Sequence, residues 1–254
     1  MRTGKCWMTW LECAAAAAFL LILAAVLLPA LGRAREGARR ASCMNNLKQM
    51  ALVLKMYAGE QPRGEYPPLS PVWENWQMDV ARVYPEYLTD LHVFVCPQSP
   101  FVSNKTFCLK DTAEHPGAAL DSPHPDCVSS LFYIYTGYAL LNDAQAVALF
   151  RAYCEMPSEV LRGADLTLDV PVLTERQLSD APVAQAEIPL VWDRVFLEEA
   201  DFAHRPLGGN VLYLDGHVAF VPYSYYNESA EFPITRLCAE TFGAVLPRLS
   251  ADCY

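Results

Sequence analysis

Two histidines and three carboxylates crowd one stretch near the C-terminal end of the chain. His204 and His217 stand either side of a β-rich run, with Asp193, Asp201 and Asp215 close by in sequence. Imidazole nitrogens and carboxylate oxygens are the donor set of hydrolytic zinc centres, where three protein ligands leave one position open for water. A membrane-anchored, metal-dependent hydrolase built on Asp193, His204 and Asp215 is one reading of these residues. A backbone demand competes for the same positions. Asp215-Gly216 separates two β-rich runs, 211–214 and 217–221, and Asp-Gly supplies the two positive-φ residues of a type I′ turn. On that reading Asp215 and Gly216 serve a tight hairpin over 210–222, and His217 is an ordinary strand residue. His92, His115 and His124 have no partner at ligand spacing. Nucleophile elbow, phosphate loop, dinucleotide fingerprint and HExxH are all missing from the sequence. No catalytic residue, metal or cofactor is therefore assigned.

Cysteine is the other reactive residue type. The chain has nine. Cys6 and Cys13 lie in or beside an apolar run and Cys43 on the helix after it. The remaining six are spread through the body without a CxxC or Cys/His spacing. That distribution reads as disulfides of an oxidising compartment, or as buried free thiols, more readily than as a zinc site. Sequence does not fix the pairing; Cys108 with Cys127, which bracket a loop, is the first candidate and Cys238 with Cys253 the second.

These residues need elements to position them. Residues 13–31 form 19 uncharged positions in a row, enough to cross a bilayer core of ~30 Å at about 1.5 Å per residue. Beyond them Ala34, Ala38, Ala41, Met44, Leu47, Ala51, Leu54 and Ala58 recur at three- and four-residue steps, which continues the span as an amphipathic helix. Pro29 inside it removes a hydrogen bond and is expected to kink the rod. "GEQPRGEYPPLSP" then stops it. Farther on, "NWQMDVARVYPEYL" reads as a short helix and "HVFVCP" as a short strand. "SSLFYIYTGYAL" and "EIPLVWD" read as strands, and "NDAQAVALFRAYC" as a helix capped by Asn142 or Asp143.

Charge divides the same way. Residues 1–60 carry eight Lys/Arg against three Asp/Glu, and the rest 11 against 26. A basic front suits anionic lipid headgroups or an acidic neighbouring chain, and an acidic body argues against nucleic acid as a partner.

Residues 8–31, "MTWLECAAAAAFLLILAAVLLPAL", resemble the N-terminal segment of type IV prepilins and type II secretion pseudopilins. Aligned on Glu12, the chain keeps the acid, its distance to Pro29 and the continuation "LAAVLLPALGRAREGAR". "ASCMNNLKQMALVLKMYA" resembles that family's helix exit, and "FVCPQS" its Cys-Pro-Ser segment. "IPLVWDR" with "HRPLGGNVLYLDGHVAFV" resembles the prepilin-associated His-x9-Asp-Gly segment, although ten residues separate His204 from Asp215 here. The resemblance implies a leader over 1–7, a transmembrane and stalk helix over 8–60, and a periplasmic head over 61–254. It implies that prepilin peptidase acts before Met8, where the family has glycine and this chain has Trp7. It gives Glu12 the task of neutralising the N-terminal amine of the next subunit. Membrane lipid, other pilin-like subunits and secretion cargo are the implied partners. The positive-inside rule points the other way, since Arg33, Arg35, Arg39 and Arg40 follow the span.

The expectation is an α+β protein: a kinked N-terminal helix followed by a pilin-like head with an antiparallel sheet. Its role would be structural, in a secretion or pilus-like assembly at the inner membrane. An exported soluble binding domain is the alternative, with Ala30, Leu31 and Gly32 forming a signal-peptide cleavage site.

Overall fold

The computed structural model of the chain describes residues 10–110, 123–155, 183–224, 230–244, 246–247 and 253. It falls into two compact units, 1–41 and 42–254.

The first unit holds the apolar part of helix α1 (Trp10–Glu60). Alanine and leucine are among the strongest helix formers, and they dominate this stretch. The helix runs through Pro29 without a break. Phe19, Ile22 and Leu28 are 66%, 67% and 68% exposed. α1 is long and apolar enough to cross a membrane. A helix bare of polar residues on every face is what a lipid-covered or protein-covered segment looks like.

The second unit is an α+β head. Its sheet has four antiparallel strands in the order of the chain: β1 (Tyr133–Tyr135), β2 (Pro189–Asp193), β3 (Gly208–Tyr213) and β4 (Val218–Pro222). Both faces of the sheet are covered. Tyr133, Tyr135, Val191 and Leu212 pack with Cys43, Leu47, Met50 and Leu54 from the end of α1. Ile134, Trp192, Val211 and Tyr213 pack instead with Ala146 and Leu149 of helix α2 (Asp143–Glu155) and with Ile234 and Phe242. Alternation along each strand sorts the residues between the two layers. Asn142 caps α2: its Oδ1 accepts from Gln145 N at 3.0 Å, and Gln145 Oε1 accepts from Leu141 N at 2.7 Å.

Several expectations need correction. The buried stripe on α1 begins at Cys43 and uses Leu47, Ala51, Leu54 and Ala58, while Ala34, Ala38 and Ala41 are exposed. The segment "HVFVCP" is no strand. Leu91–Phe94 form a 3-10 turn, because Asp90 accepts from His92 N at 2.9 Å and starts it. Only Val80–Arg82 are helical within the expected helix at 75–88. Its first residues are drawn into extended pairing, Met78 with Leu69 and the Trp76 carbonyl with Tyr135 N.

The hairpin is present, but its turn is not type I′. Gly216 N donates to Tyr213 O at 2.9 Å and Gly216 alone takes positive φ, at +94°. That is a three-residue connection closed by a left-handed glycine. Asp215 keeps negative φ and acts through its side chain, accepting from His217 N at 2.9 Å.

The disulfide joins Cys127 to Cys253, not Cys127 to Cys108 or Cys253 to Cys238. Cys253 lies beside Leu109 in an isolated β-bridge. Cys238 is held elsewhere, its N–H on Thr235 Oγ1 and its Sγ 3.5 Å from Asp143 Oδ1.

Candidate functional site

Asp193 ends β2, where Tyr133 is its cross-strand partner. Trp192 pairs with Val211, which sets Asp193 level with Asn210 on β3. Since Ile134, Trp192 and Val211 face α2, alternation turns Tyr133, Asp193 and Asn210 toward α1. Asn46 meets them from the helix, with Nδ2 2.9 Å from Val95 O and 3.5 Å from the Tyr133 hydroxyl. Gly209 permits the close approach. A Cβ there would lie 2.7 Å from Ile234 Cδ1 and 3.2 Å from Asp193 Cβ.

His204 enters this layer from the connection between β2 and β3. Its Nε2 is 2.7 Å from Asp193 Oδ2 and its Nδ1 is 2.6 Å from Gln98 Oε1. The same Asp193 oxygen accepts from Asn210 N at 2.6 Å and from Asn210 Nδ2 at 2.8 Å. An acceptor facing each ring nitrogen favours a proton on both. Burial alone pushes the His204 pKa down, but the hydrogen bonds and charge of Asp193, with a contribution from Cys96, outweigh it and raise the value to about 10. The side chains of His204 and Asp193 are 0% and 3% exposed. Sealed this way, the pair fastens the end of β2, the β2–β3 connection, β3 and the Gln98 segment together, almost entirely out of solvent.

Two thiols complete the cluster. Cys96 Sγ lies 4.0 Å from His204 Nε2. Hydrogen bonding with Cys43 and then burial push the Cys96 thiol far above its ordinary range. The Sγ atoms of Cys43 and Cys96 and a His204 ring nitrogen all lie within 4.8 Å of one another, and all three residues are buried. Thiolate, thiolate and imidazole form a donor set that can hold a metal ion.

The structure thus unites Asp193 and His204, two of the sequence-derived candidates, and separates them from Asp215 and Gly216. Asp215 lies in the hairpin connection two positions past the end of β3, whereas Asn210 sits inside that strand. There it pairs with His217 Nδ1 at 2.7 Å, and its carbonyl accepts from Lys55 Nζ at 2.8 Å. Burial works to raise the Asp215 pKa, yet the bonds from His217 and the charge of Lys55 hold it below the usual carboxylate value. The His204/Asp193/Asp215 hydrolase centre is therefore not assembled. Trp7 and Met8 lie outside the described residues. Glu12 occupies the first turn of α1 and Pro29 its interior.

Sequence reasoning missed Cys43, Cys96, Gln98 and Asn210. Cys96 and His204 are 108 positions apart, so no spacing pattern joins them. The one available signal was that Cys96 and Gln98 sit together in the "CPQS" segment.

No curated protein and no solved structure matches the chain. Residues 32–81 match the model of a family described as proteins of unknown function (DUF1559). That span runs from the end of the apolar stretch across the buried half of α1 and into the head. It makes this part of the chain similar to that family.

Proposed function

We propose that the chain is a membrane-anchored, pilin-like assembly protein whose apolar helix packs with other subunits while its head makes contacts with partners or cargo. One observation carries this reading: α1 changes character along its length. The described side chains of its apolar part are exposed, and its last turns form one layer of the head's core. A helix shared between lipid and a folded head is what a stalk requires. The resemblance of residues 8–31 to prepilins adds Glu12 at its fixed distance from Pro29. The acidic head would sit in the periplasm, and the Cys127–Cys253 disulfide is suited to that compartment.

An apolar helix near the N-terminus is also what a signal sequence presents. Cleavage after Gly32 would release the head, and residues 43–60 could still cover the sheet. Fractionation separates the two readings. The anchored protein stays with membranes through an alkaline carbonate wash, whereas recovery in the soluble fraction would overturn this proposal.

A further inference from the structure

We propose that Cys43, Cys96 and His204, with Asp193 as fourth ligand, form a structural site for a tetrahedral, thiolate-preferring divalent cation of the zinc class. The donors come from four separate places: α1, the segment after the 3-10 turn at Leu91–Phe94, the β2–β3 connection and the end of β2. Zinc bonds of about 2.3 Å to sulfur and 2.0–2.1 Å to nitrogen set tetrahedral edges of about 3.4–3.8 Å. The three donors already lie within 4.8 Å of one another, with Cys96 Sγ at 4.0 Å from His204 Nε2. Asp193 Oδ2, at 2.7 Å from the same nitrogen, needs to withdraw by well under a side-chain rotation to take the fourth corner.

Two further observations point to a ligand. His204 Nδ1 faces Gln98 Oε1 at 2.6 Å. An acceptor on the far ring nitrogen is the outer-shell contact that orients a metal-bound histidine and leaves Nε2 for the ion. Asp193 Oδ1 and Asn210 Oδ1 are also buried without a hydrogen-bond partner among the described residues, although the two residues are 2% and 0% exposed. Buried acceptors are normally satisfied, and a cation bound by this carboxylate would offset the two unpartnered oxygens. Loading exchanges the ion for three protons, one from each thiol and one from Nε2. The ion would tie the end of α1 to β2 across very long chain loops, so its binding energy would add to the stability of the head.

The test is a cobalt(II) titration of the purified full chain in detergent, read by absorbance, with zinc content measured by elemental mass spectrometry. The expected result is one ion per chain, with thiolate-to-cobalt charge transfer and the visible bands of tetrahedral cobalt. Cys96→Ser is expected to lose most of the charge-transfer intensity, and Gln98→Ala to weaken binding by about 10- to 100-fold. Cys154→Ser, at an exposed cysteine outside the cluster and outside the disulfide, is expected to leave the spectrum unchanged. If Cys96→Ser does not fold, the wild-type spectrum together with Gln98→Ala and Cys154→Ser decides. A wild-type chain without charge transfer would overturn the site, as would a Cys43–Cys96 disulfide found by non-reducing peptide mapping.

Discussion

His204 Nε2 stands 2.7 Å from Asp193 Oδ2 in the layer between the sheet and α1, with Asn210 donating twice to the same oxygen. The two residues are only 11 positions apart, yet they join the end of β2 to the connection that precedes the hairpin. Removing either partner strands a buried charge. Asp193→Ala and His204→Ala are each expected to cost about 3–5 kcal/mol in denaturant unfolding of the full chain. The double variant is expected to cost clearly less than the sum, which a double-mutant cycle measures.

The hairpin depends on glycine where β3 meets β4. A Cβ on Gly208 would sit 2.5 Å from both Phe220 Cζ and the Val221 carbonyl oxygen. The backbone partner cannot rotate away. Gly208→Ala is expected to destabilise the head by about 1–3 kcal/mol, seen as a lowered thermal midpoint.

The Cys127–Cys253 bridge spans 126 positions. Non-reducing peptide mapping is expected to recover these two cysteines together, with neither joined to Cys108 or Cys238. Replacing Cys253 by Ser is expected to cost about 2–5 kcal/mol, and reduction of the wild type to mimic it.

Asp215 gives the hairpin tip a pH dependence of known sign. Its folded pKa lies below the ordinary aspartate value of 3.8. Its contribution is therefore complete above the unfolded value and is lost as pH falls through the folded one. Asp215→Asn is expected to be less stable than wild type at neutral pH, and the gap to close on acidification below about pH 3.8. A gap that stayed constant with pH would show that the charge does not matter.

Legibility followed sequence distance. The continuous helix, the strands at 133–135 and 189–193, the cap at Asn142 and the hairpin around Gly216 are written in local periodicity and turn chemistry, and they could be read there. Even Asp193 and His204 emerged, as a carboxylate and a histidine close together in sequence ahead of β3. Cys43 and Cys96 did not, because the fold alone brings an α1 cysteine and a turn cysteine to a histidine more than a hundred residues on. The same limit explains the disulfide: bridges between Leu109 and Cys253, and between Cys108 and Pro123, decide which thiols meet. The 3-10 turn at Leu91–Phe94 was misread as a strand because Val and Phe have strand propensity, while one carboxylate, Asp90, sets the local geometry.

The central claim is that the apolar half of α1 stays on the protein and holds it in a membrane. N-terminal sequencing of the carbonate-resistant, membrane-bound protein tests it most directly. The account predicts a chain beginning at Met8, as a processed pilin-like subunit, or at Met1, as an anchor whose leader Trp7 has protected. A soluble protein beginning at Arg33 would contradict it.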